Sequence, residues 1–434
     1  MARRLDARAP GFAAQFDSLI GSKREVEESV APVVRDIVAD VRSRGDAALV
    51  ELTNKLDRTA LTATNLRLAQ SEIDGAEMQC DRNALAALDV ALNRIEAYHR
   101  RQIPDDAWFS DESGAKLGWR WTPLDSVGLY VPGGTAAYPS SVLMNAVPAR
   151  VAGVGRVVMV TPASGGQINP LVLAAAKRAG VGEIYRVGGA QAVAALAYGT
   201  ATIAAVDKIV GPGNAYVAAA KREVFGAVGI DAIAGPSEIL VVADGDNNPD
   251  WIAADLLSQA EHDPSSQSIL ITNDAAFADN VAVAADRALQ LLPRAEIARA
   301  SWNDHGVIIL VAKLTDAAEL IDRIAPEHLQ IATADPDVLL KRVRHAGAIF
   351  LGRYTPEAMG DYIAGPNHVL PTSRTARFSS GMSVLDFMKR TTLLACGPDT
   401  IAKLGPDVIA LAEAEGLDGH ARSIAARLNR PDGR

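Results

Sequence analysis

Cysteine is nearly absent from this chain, with two residues, Cys80 and Cys396, among 434. Two cysteines so far apart in sequence exclude a disulfide scaffold and a paired-cysteine zinc site, and they fit a reducing compartment. Long hydrophobic runs are also missing, since none approaches the roughly 20 apolar residues that span a bilayer. The basic start of the chain leads into no apolar signal core, so we expect a cytoplasmic protein without membrane contact.

Positive charge is in the minority, with 43 Lys and Arg against 52 Asp and Glu and a formal net charge of −9. Nucleic-acid binders normally present the opposite balance, so we expect no nucleic-acid partner, whereas a small, positively charged substrate would be compatible. Apolar residues make up 49% and charged residues 22% of the sequence, as in ordinary globular proteins. A chain of 434 residues is too long to fold around a single simple hydrophobic core, so two or more α/β units are expected.

The order of apolar patterns predicts the fold class. Helical spacing dominates the first part of the chain, at residues 26–56 and 82–99. From Ser126 onward, short β-rich runs alternate with helix-like segments, which is typical of βαβ units and a parallel sheet. The predicted strands form two series: 127–130, 157–160, 183–187, 208–210 and 239–242, then 268–271, 307–311, 329–332 and 348–351. We predict two similar α/β domains, although no sequence repeat proves a duplication.

A region of little periodicity follows the second series. Residues 352–383 are rich in Gly, Pro, Ser and Thr, and a loop of this length in a compact enzyme is usually functional. Helical patterns return at 385–388 and 406–428. The predicted organisation is an N-terminal arm (1–25), a helical part of the first domain (26–125), the first α/β domain itself (126–236), a second α/β domain (237–381) and a C-terminal helical segment (382–434).

Four glycine-rich runs lie at or near predicted strand ends: Val131-Pro-Gly-Gly134, Val187-Gly-Gly-Ala-Gln191, Val210-Gly-Pro-Gly-Asn214 and Ile233-Ala-Gly-Pro-Ser237. In open parallel sheets, ligands bind outside the carboxyl ends of the strands, where glycine lets backbone amides approach a phosphate or sugar. A tight turn between strand and helix explains any single run as well. Four runs together favour a nucleotide site, but none is a G-x-G-x-x-G fingerprint, so the residues alone do not identify NAD.

Candidate metal ligands are spread over three segments. Residues 249–262 predict a helix whose apolar stripe places Gln259 near the buried side and His262 beyond the stripe's edge. A buried amide beside a histidine needs partners, which are either a metal or backbone groups. Asp361 in the long loop and His420 at a glycine-broken helix junction would complete a mixed oxygen and nitrogen set, which suits zinc or manganese better than copper. Spacing alone does not show that these four converge.

Glu327 and His328 lie between a predicted helix and a predicted strand. The histidine can titrate near neutral pH and accept a proton, and the neighbouring carboxylate can orient a water. An exposed pair at the end of a helix explains the same local sequence equally well. We expect surface or structural roles for four other histidines, the last of which is close in sequence to Asp361: His99, His305, His345 and His368.

Taken together, these motifs resemble those of the histidinol dehydrogenase family. The match runs from about residue 23 to 428, in the family's order: Val127-Gly-Leu-Tyr-Val-Pro-Gly-Gly134, Val187-Gly-Gly-Ala-Gln191, Val210-Gly-Pro-Gly-Asn214, Ala234-Gly-Pro-Ser-Glu238, Leu257-Ser-Gln-Ala-Glu-His262, Glu327-His-Leu329, Gly365-Pro-Asn-His-Val-Leu-Pro371 and Glu415-Gly-Leu-Asp-Gly-His420. The combination is specific even though each piece is not. Gly419 stands where alanine is expected and residues 373–378 vary, but neither change touches an assigned residue.

The resemblance implies a fold and a reaction. The fold would comprise two incomplete Rossmann-like parallel-sheet domains of the aldehyde-dehydrogenase-like class, with N-terminal and C-terminal helical extensions. The first domain would bind NAD, the second would carry the metal and catalytic residues, and the last segment would complete a homodimer with shared active sites. The reaction would be the zinc- and NAD-dependent four-electron oxidation of L-histidinol, through L-histidinal, to L-histidine, the last steps of histidine biosynthesis.

The resemblance also assigns residues by motif. One Zn2+ per subunit would be held by Gln259, His262, Asp361 and His420. The substrate would contact these ligands and three further residues, Ser237, His328 and Glu415. The nucleotide would contact Tyr130, Gln191 and Asn214. His328 would act as acid and base, and Glu327 would activate water.

Three other interpretations fit parts of the sequence. A related zinc/NAD dehydrogenase would act on another small polar alcohol, although Glu415 favours an amine-bearing substrate over an anionic one. A zinc hydrolase would turn over without nicotinamide, and the glycine-rich turns count against it. A non-catalytic NAD-binding protein would have no use for Glu327 and His328. A cysteine-dependent aldehyde step is disfavoured, because Cys80 and Cys396 lie in helix-like contexts far from the motifs.

Overall fold

The computed structural model describes residues 2–21, 30–133, 138–233 and 235–428. Two motif positions, Gly134 and Ala234, and part of the predicted N-terminal arm lie outside the described residues. The chain divides into two compact units, a first unit of residues 1–102 and 125–387 and a second unit of residues 103–124 and 388–434. None of the described helices combines the length and the apolar character that crossing a membrane would require.

The strands have the following bounds in chain order: β1 (Arg3–Asp6), β2 (Ala107–Ser110), β3 (Lys116–Pro123), β4 (Ser126–Tyr130), β5 (Arg156–Val160), β6 (Glu183–Tyr185), β7 (Lys208–Val210), β8 (Gly229–Ile230), β9 (Glu238–Ala243), β10 (Gln267–Thr272), β11 (Val307–Leu310), β12 (His328–Ala332), β13 (Ala348–Leu351) and β14 (Met388–Ala395). All nine predicted strands are present, with end points that differ by at most two residues.

The helices have these bounds: α1 (Phe12–Gly21), α2 (Ala31–Arg44), α3 (Asp46–Asp57), α4 (Gln70–Ala76), α5 (Arg82–Arg100), α6 (Pro139–Ala152), α7 (Pro170–Arg178), α8 (Gly189–Tyr198), α9 (Ala215–Val224), α10 (Pro249–Ala260), α11 (Ala275–Ala288), α12 (Ala295–His305), α13 (Ala317–Ile324), α14 (Asp337–Leu340), α15 (Glu357–Tyr362), α16 (Pro398–Ala414) and α17 (Asp418–Leu428). The predicted helical pattern at 26–56 becomes α2 and α3, separated by Gly45, which has a φ of 58°, while its residues 26–29 lie outside the described residues.

Strands β4 to β8 form one parallel sheet in the order β6-β5-β4-β7-β8. Counted from β4, the order is 3-2-1-4-5, which is the Rossmann order 3-2-1-4-5-6 without its sixth strand. The direction of strand addition reverses between β4 and β7. A ligand crevice in such a sheet lies outside the carboxyl ends of these two strands, which are Tyr130 and Val210.

Strands β9 to β13 repeat the same order in a second parallel sheet, β11-β10-β9-β12-β13, to which β1 adds at the β11 edge. The two predicted series of alternating strands and helices are therefore confirmed as two parallel sheets, both of which belong to the first compact unit. Every residue of β9 and β10 is buried, because helices and loops cover both faces of the sheet. Strand β1 lies in the predicted N-terminal arm, for which no strand was predicted, and a run of four residues is too short to show an alternating pattern.

Helix α10 begins at Pro249 behind Asn248, whose side chain accepts the N–H of Asp250. Its apolar stripe is buried as predicted, at Ile252, Leu256 and Ala260. The helix ends at Ala260, two residues before the predicted end. His262 consequently lies in the turn after the helix rather than on it.

Two other predictions needed correction. Residues 352–383 are not one continuous loop, because they contain the short helix α15. Residues 384–387 form a 3-10 helix and Met388 begins strand β14, so the predicted helical pattern at 385–388 holds only as far as Phe387. In the second unit, β14 joins β3 and β2 in an antiparallel sheet, and α16 and α17 supply the predicted helices.

Candidate active site

Glu327 and His328 lie at the amino end of β12, which lies between β9 and β13 in the second sheet. Helix α13 ends at Ile324, and Ala325 adopts the left-handed conformation with a φ of 47°, which turns the chain into the strand. Glu327 is 7% exposed and His328 is 3% exposed. The alternative of an exposed pair at a helix end is therefore excluded.

The backbone of one residue, Glu238, orients the side chains of both Glu327 and His328. Glu238 begins β9, the strand beside β12, and its N–H donates to Glu327 Oε2 at 2.9 Å. Its carbonyl oxygen lies 3.0 Å from His328 Nδ1. Because a carbonyl only accepts, this contact assigns the proton to Nδ1 and leaves Nε2 as the basic nitrogen of the neutral ring. Nε2 is buried and has no hydrogen-bond partner among the described residues, so it faces the site ready to exchange a proton.

Two carboxylates of α15 face this nitrogen. Asp361 Oδ1 lies 3.6 Å and Glu357 Oε1 lies 3.8 Å from His328 Nε2, which are ion-pair separations rather than hydrogen bonds. The three ligand atoms lie within 4.8 Å of one another and form a group that could hold a metal ion. Glu357 Oε2 also accepts the hydroxyl of Ser258 on α10 at 3.3 Å.

Glu357 is a site residue that was not predicted from the sequence. Its spacing of four residues from Asp361 puts both carboxylates on one face of a helix, which is a recognisable pattern. The pattern was overlooked because the segment was predicted to be an irregular loop.

Burial and mutual charge shift the acid-base properties of this group. Burial raises the pKa of Glu327 to about 8, with the imidazole of His328 opposing the shift. Burial would lower the pKa of His328, but the carboxylates of Glu327, Glu357 and Asp361 raise it to about 10. Burial would raise the pKa of Asp361, yet its contact with His328 lowers it, so this carboxylate stays ionised. Three carboxyl groups around one imidazole favour a positive charge at this place, either a protonated imidazole or a bound cation.

Gln259 and His262 have the properties of metal ligands as well. Gln259 is 1% exposed, and its Oε1 has no hydrogen-bond partner among the described residues. Although the side chain of His262 is open to solvent, the protein atoms around it desolvate the ring and lower its pKa, with Asp361 opposing. A neutral imidazole, an ionised carboxylate and an unpaired amide oxygen are the forms in which these groups bind zinc. Of the four predicted ligands, Asp361 alone belongs to the group with His328 and Glu357.

The remaining predicted residues of this site lie apart along the chain. Ser237 immediately precedes β9, and its carbonyl accepts the N–H of Gln267. Glu415 and His420 belong to the second unit, where both are exposed on either side of the break between α16 and α17. Gly416 in this break has a φ of 73°, as the predicted glycine-broken junction requires. A Cβ at Gly419 would meet no described atom within 4 Å, so the expected alanine would also fit there.

The predicted nucleotide residues gather at the carboxyl ends of the first sheet. Tyr130 ends β4, and its hydroxyl accepts the N–H of Gly189 at 3.0 Å, which links two of the glycine-rich turns. Burial raises the pKa of Tyr130 to about 12, so the hydroxyl stays protonated. Gln191 lies in the first turn of α8 with its Oε1 buried and without a hydrogen-bond partner among the described residues. Asn214 caps α9 by accepting two backbone N–H groups of the first turn.

Two of the other histidines have structural contacts. His99 is fully buried, with Nδ1 2.8 Å from the carbonyl of Ile95 and Nε2 3.4 Å from Asn367 Nδ2. Nδ1 of His368 lies 2.9 Å from the carbonyl of Asp361, so this histidine supports the backbone of a site residue. Both contacts fit the structural roles expected from the sequence.

Comparisons with known proteins agree over the length of the chain. The sequence model of the histidinol dehydrogenase family matches residues 21–428. The histidinol dehydrogenase of Rhodospirillum rubrum is 64% identical over 431 residues, covering 99% of each chain. That of Rhodopseudomonas palustris is 62% identical over 429 residues, covering 99% of this chain and 100% of its own. A crystal structure of histidinol dehydrogenase from Elizabethkingia anophelis aligns with a TM-score of 0.93 at 35% identity, covering 98% of both chains. The resemblance seen in the motifs is thereby confirmed, and the chain belongs to the histidinol dehydrogenase family.

Proposed function

We propose that this enzyme oxidises L-histidinol through L-histidinal to L-histidine, with zinc bound and two NAD reduced in turn. We infer the substrate from the named relatives, which are more than 60% identical to this chain over nearly its full length. The observation that carries the proposal is the buried Glu327–His328 pair, which Glu238 orients and which faces Asp361 and Glu357. Such a pair offers two proton acceptors, and a four-electron oxidation needs both.

We infer that Gln259, His262 and Asp361 contribute to one zinc site per chain, with His420 of the partner subunit as the fourth ligand. The unpaired amide oxygen of Gln259 and the acidic surroundings of His328 support a cation at this place. The bound ion would clamp the amine and imidazole of the substrate and, by offsetting the charge of Asp361, would lower the pKa of His328 so that the ring serves as a base.

The first oxidation would use His328. Its Nε2 would accept the proton of the substrate hydroxyl while a hydride leaves the same carbon for the nicotinamide. Nδ1 would keep its bond to the carbonyl of Glu238, which holds the ring in one tautomer throughout. The products are the aldehyde, one NADH and one proton on the imidazole.

The second oxidation would add Glu327. With a pKa of about 8, this carboxylate would accept a proton from water as the water oxygen attacks the aldehyde carbon, and the former aldehyde oxygen would take up a proton from solvent, giving the hydrate. After His328 has returned its first proton to solvent, Nε2 would accept a hydroxyl proton of the hydrate while a second hydride leaves for a second NAD. The product is the carboxylic acid, L-histidine. Neither Cys80 nor Cys396 lies among these residues, so no thiol is needed.

The nucleotide would bind at the carboxyl ends of the first sheet, against Tyr130, Gln191 and Asn214. Three glycine-rich turns meet there, and the crevice of a 3-2-1-4-5 sheet opens between them. The unpaired buried Oε1 of Gln191 is an acceptor that a ribose hydroxyl would satisfy.

A single assay distinguishes this function from the alternatives. NADH absorbance would be followed with L-histidinol, with and without NAD and with a chelator followed by added zinc. We expect turnover only with nicotinamide and metal together. Turnover without nicotinamide would favour a zinc hydrolase, binding without turnover would favour an NAD-binding protein, and preference for another small polar alcohol would keep the class but replace the substrate.

We also propose a homodimer whose sites are shared, with Glu415 and His420 reaching the partner's site. His262→Asn and His420→Asn homodimers should each be nearly inactive, because every site lacks one ligand. A mixed dimer would combine one site missing both ligands with one intact site. Co-refolding should then restore up to about a quarter of wild-type activity under random exchange between the two subunits of a two-fold dimer. No recovery, with mixed dimers verified by differently tagged chains, would contradict the sharing.

A further inference from the structure

A buried ion pair lies beside the first sheet, outside the residues used above. Lys221 is on α9 and Asp231 follows β8, and their side chains are 3% and 6% exposed. Lys221 Nζ pairs with Asp231 Oδ1. Removing two charges from water is unfavourable, and apolar residues of similar size often stabilise a fold as well or better. The pair therefore calls for an explanation other than stability.

Both charged groups also bind the backbone of Gly211. Asp231 Oδ2 accepts the N–H of Gly211 at 2.7 Å. Lys221 Nζ donates to the carbonyl oxygen of Gly211 at 3.1 Å. The ion pair thus closes around one residue and satisfies its donor and its acceptor together.

Gly211 is the first residue of the turn that follows β7. Its φ is 110°, and a Cβ there would lie 2.1 Å from the carbonyl oxygen of Tyr130. The turn therefore presses directly on the end of β4 and has little freedom to shift. Three residues later Asn214 starts α9, the helix that also carries Lys221.

We propose that Lys221 and Asp231 are positioning residues for the nicotinamide nucleotide. They hold the turn from Gly211 to Asn214 in the shape that receives NAD, without contacting NAD themselves. This inference rests on the proposed function, since it assigns the nucleotide to this crevice. A turn fixed before binding loses less conformational freedom when the ligand arrives, which strengthens binding.

A double substitution separates positioning from stability. Lys221→Met with Asp231→Leu removes both charges, so no unpaired charge remains buried. The backbone groups of Gly211 lose their partners in this variant. The matched control is Arg156→Met with Glu183→Leu, which removes an ion pair of 2.8 Å at the amino ends of β5 and β6, in the same sheet but at the opposite edge from the crevice.

The readouts are NADH affinity by fluorescence titration, the thermal midpoint, and the KM for NAD and for L-histidinol. We expect the double variant to bind NADH about 10- to 100-fold more weakly, which is the loss that follows when residues orienting metal ligands are removed. The KM for NAD should rise likewise, while the KM for L-histidinol and the binding of NADH by the control variant stay near wild type. Wild-type NADH affinity in a folded double variant would overturn the inference.

A conservative pair of variants keeps the test decisive if the double variant does not fold. Lys221→Met with Asp231→Asn retains an acceptor for the N–H of Gly211 and leaves no buried charge, whereas Lys221→Met with Asp231→Val leaves no buried charge and no acceptor. NADH affinity within about threefold of wild type for the first and a loss of about tenfold or more for the second would support positioning. Equal affinities in the two variants would overturn it. Failure of the wild-type protein to bind NADH would instead refute the proposed function.

Discussion

Glu327→Gln tests whether the carboxylate of Glu327 acts in the second oxidation and not in the first. The substitution removes a titratable carboxylate but keeps its shape, and the amide oxygen can still accept the N–H of Glu238, now 2.9 Å from Glu327 Oε2. His328 should therefore keep its orientation. The chemical consequence is confined to the loss of one proton acceptor.

The expected magnitude follows from the role of that acceptor. Burial raises the pKa of Glu327 to about 8, close to the pH at which a general base is most effective. General base catalysis contributes about 10²- to 10⁴-fold, so oxidation of supplied L-histidinal should fall by that factor, or about 3–5 kcal/mol in the activation free energy. The alcohol step needs no activated water and should change by less than about tenfold.

Stopped-flow measurement of NADH distinguishes the steps. With L-histidinol the variant should give a rapid burst of one NADH per site followed by a slow second turnover, and with L-histidinal it should show only the slow phase. Glu319→Gln, an exposed carboxylate on the preceding helix α13, serves as the control and should leave both rates unchanged. Equal losses in both half-reactions would refute the assignment of Glu327 to water activation.

Three further outcomes are expected. His328→Asn should slow both half-reactions in the same stopped-flow assay, because each needs a base, and a defect in one alone would contradict this. Chelation should abolish turnover without changing the far-ultraviolet circular dichroism, because the proposed ligands join separate elements rather than forming the core; unfolding on chelation would count against it. Burial lowers the pKa of His99, so the unfolded chain binds a proton that the folded chain does not, and stability is lost as pH falls below about 6.5. His99→Gln should flatten this part of the urea-midpoint profile, and an unchanged slope would contradict the assignment.

The parallel sheets could be predicted because their strands are buried on both faces. Such strands appear as short continuous apolar runs, as in β9 and β10, where every residue is buried. Strand β14 is mostly exposed, so no burial pattern marks it, and it lies within the segment 382–434 that was predicted to be helical. Strand β1 has only four residues and depends on β11 for its pairing.

The candidate site was only partly predictable for a related reason. Local sequence identified Glu327 and His328 as a pair but could not decide between buried and exposed, because that depends on β12 lying beside β9. The approach of Asp361 and Glu357 to His328 depends on where α15 packs, which no spacing along the chain encodes. The role of Glu238 is carried by its backbone and leaves no signature in its residue type.

We propose that two buried general bases, Glu327 and His328, serve two successive oxidations at one zinc-dependent site. The most direct measurement is the number of NADH formed per L-histidinol consumed, with a limiting amount of substrate and excess NAD. The proposed function predicts two NADH and one L-histidine for each L-histidinol, and none after chelation. One NADH with accumulation of the aldehyde, or NADH formation that persists without metal, would contradict it.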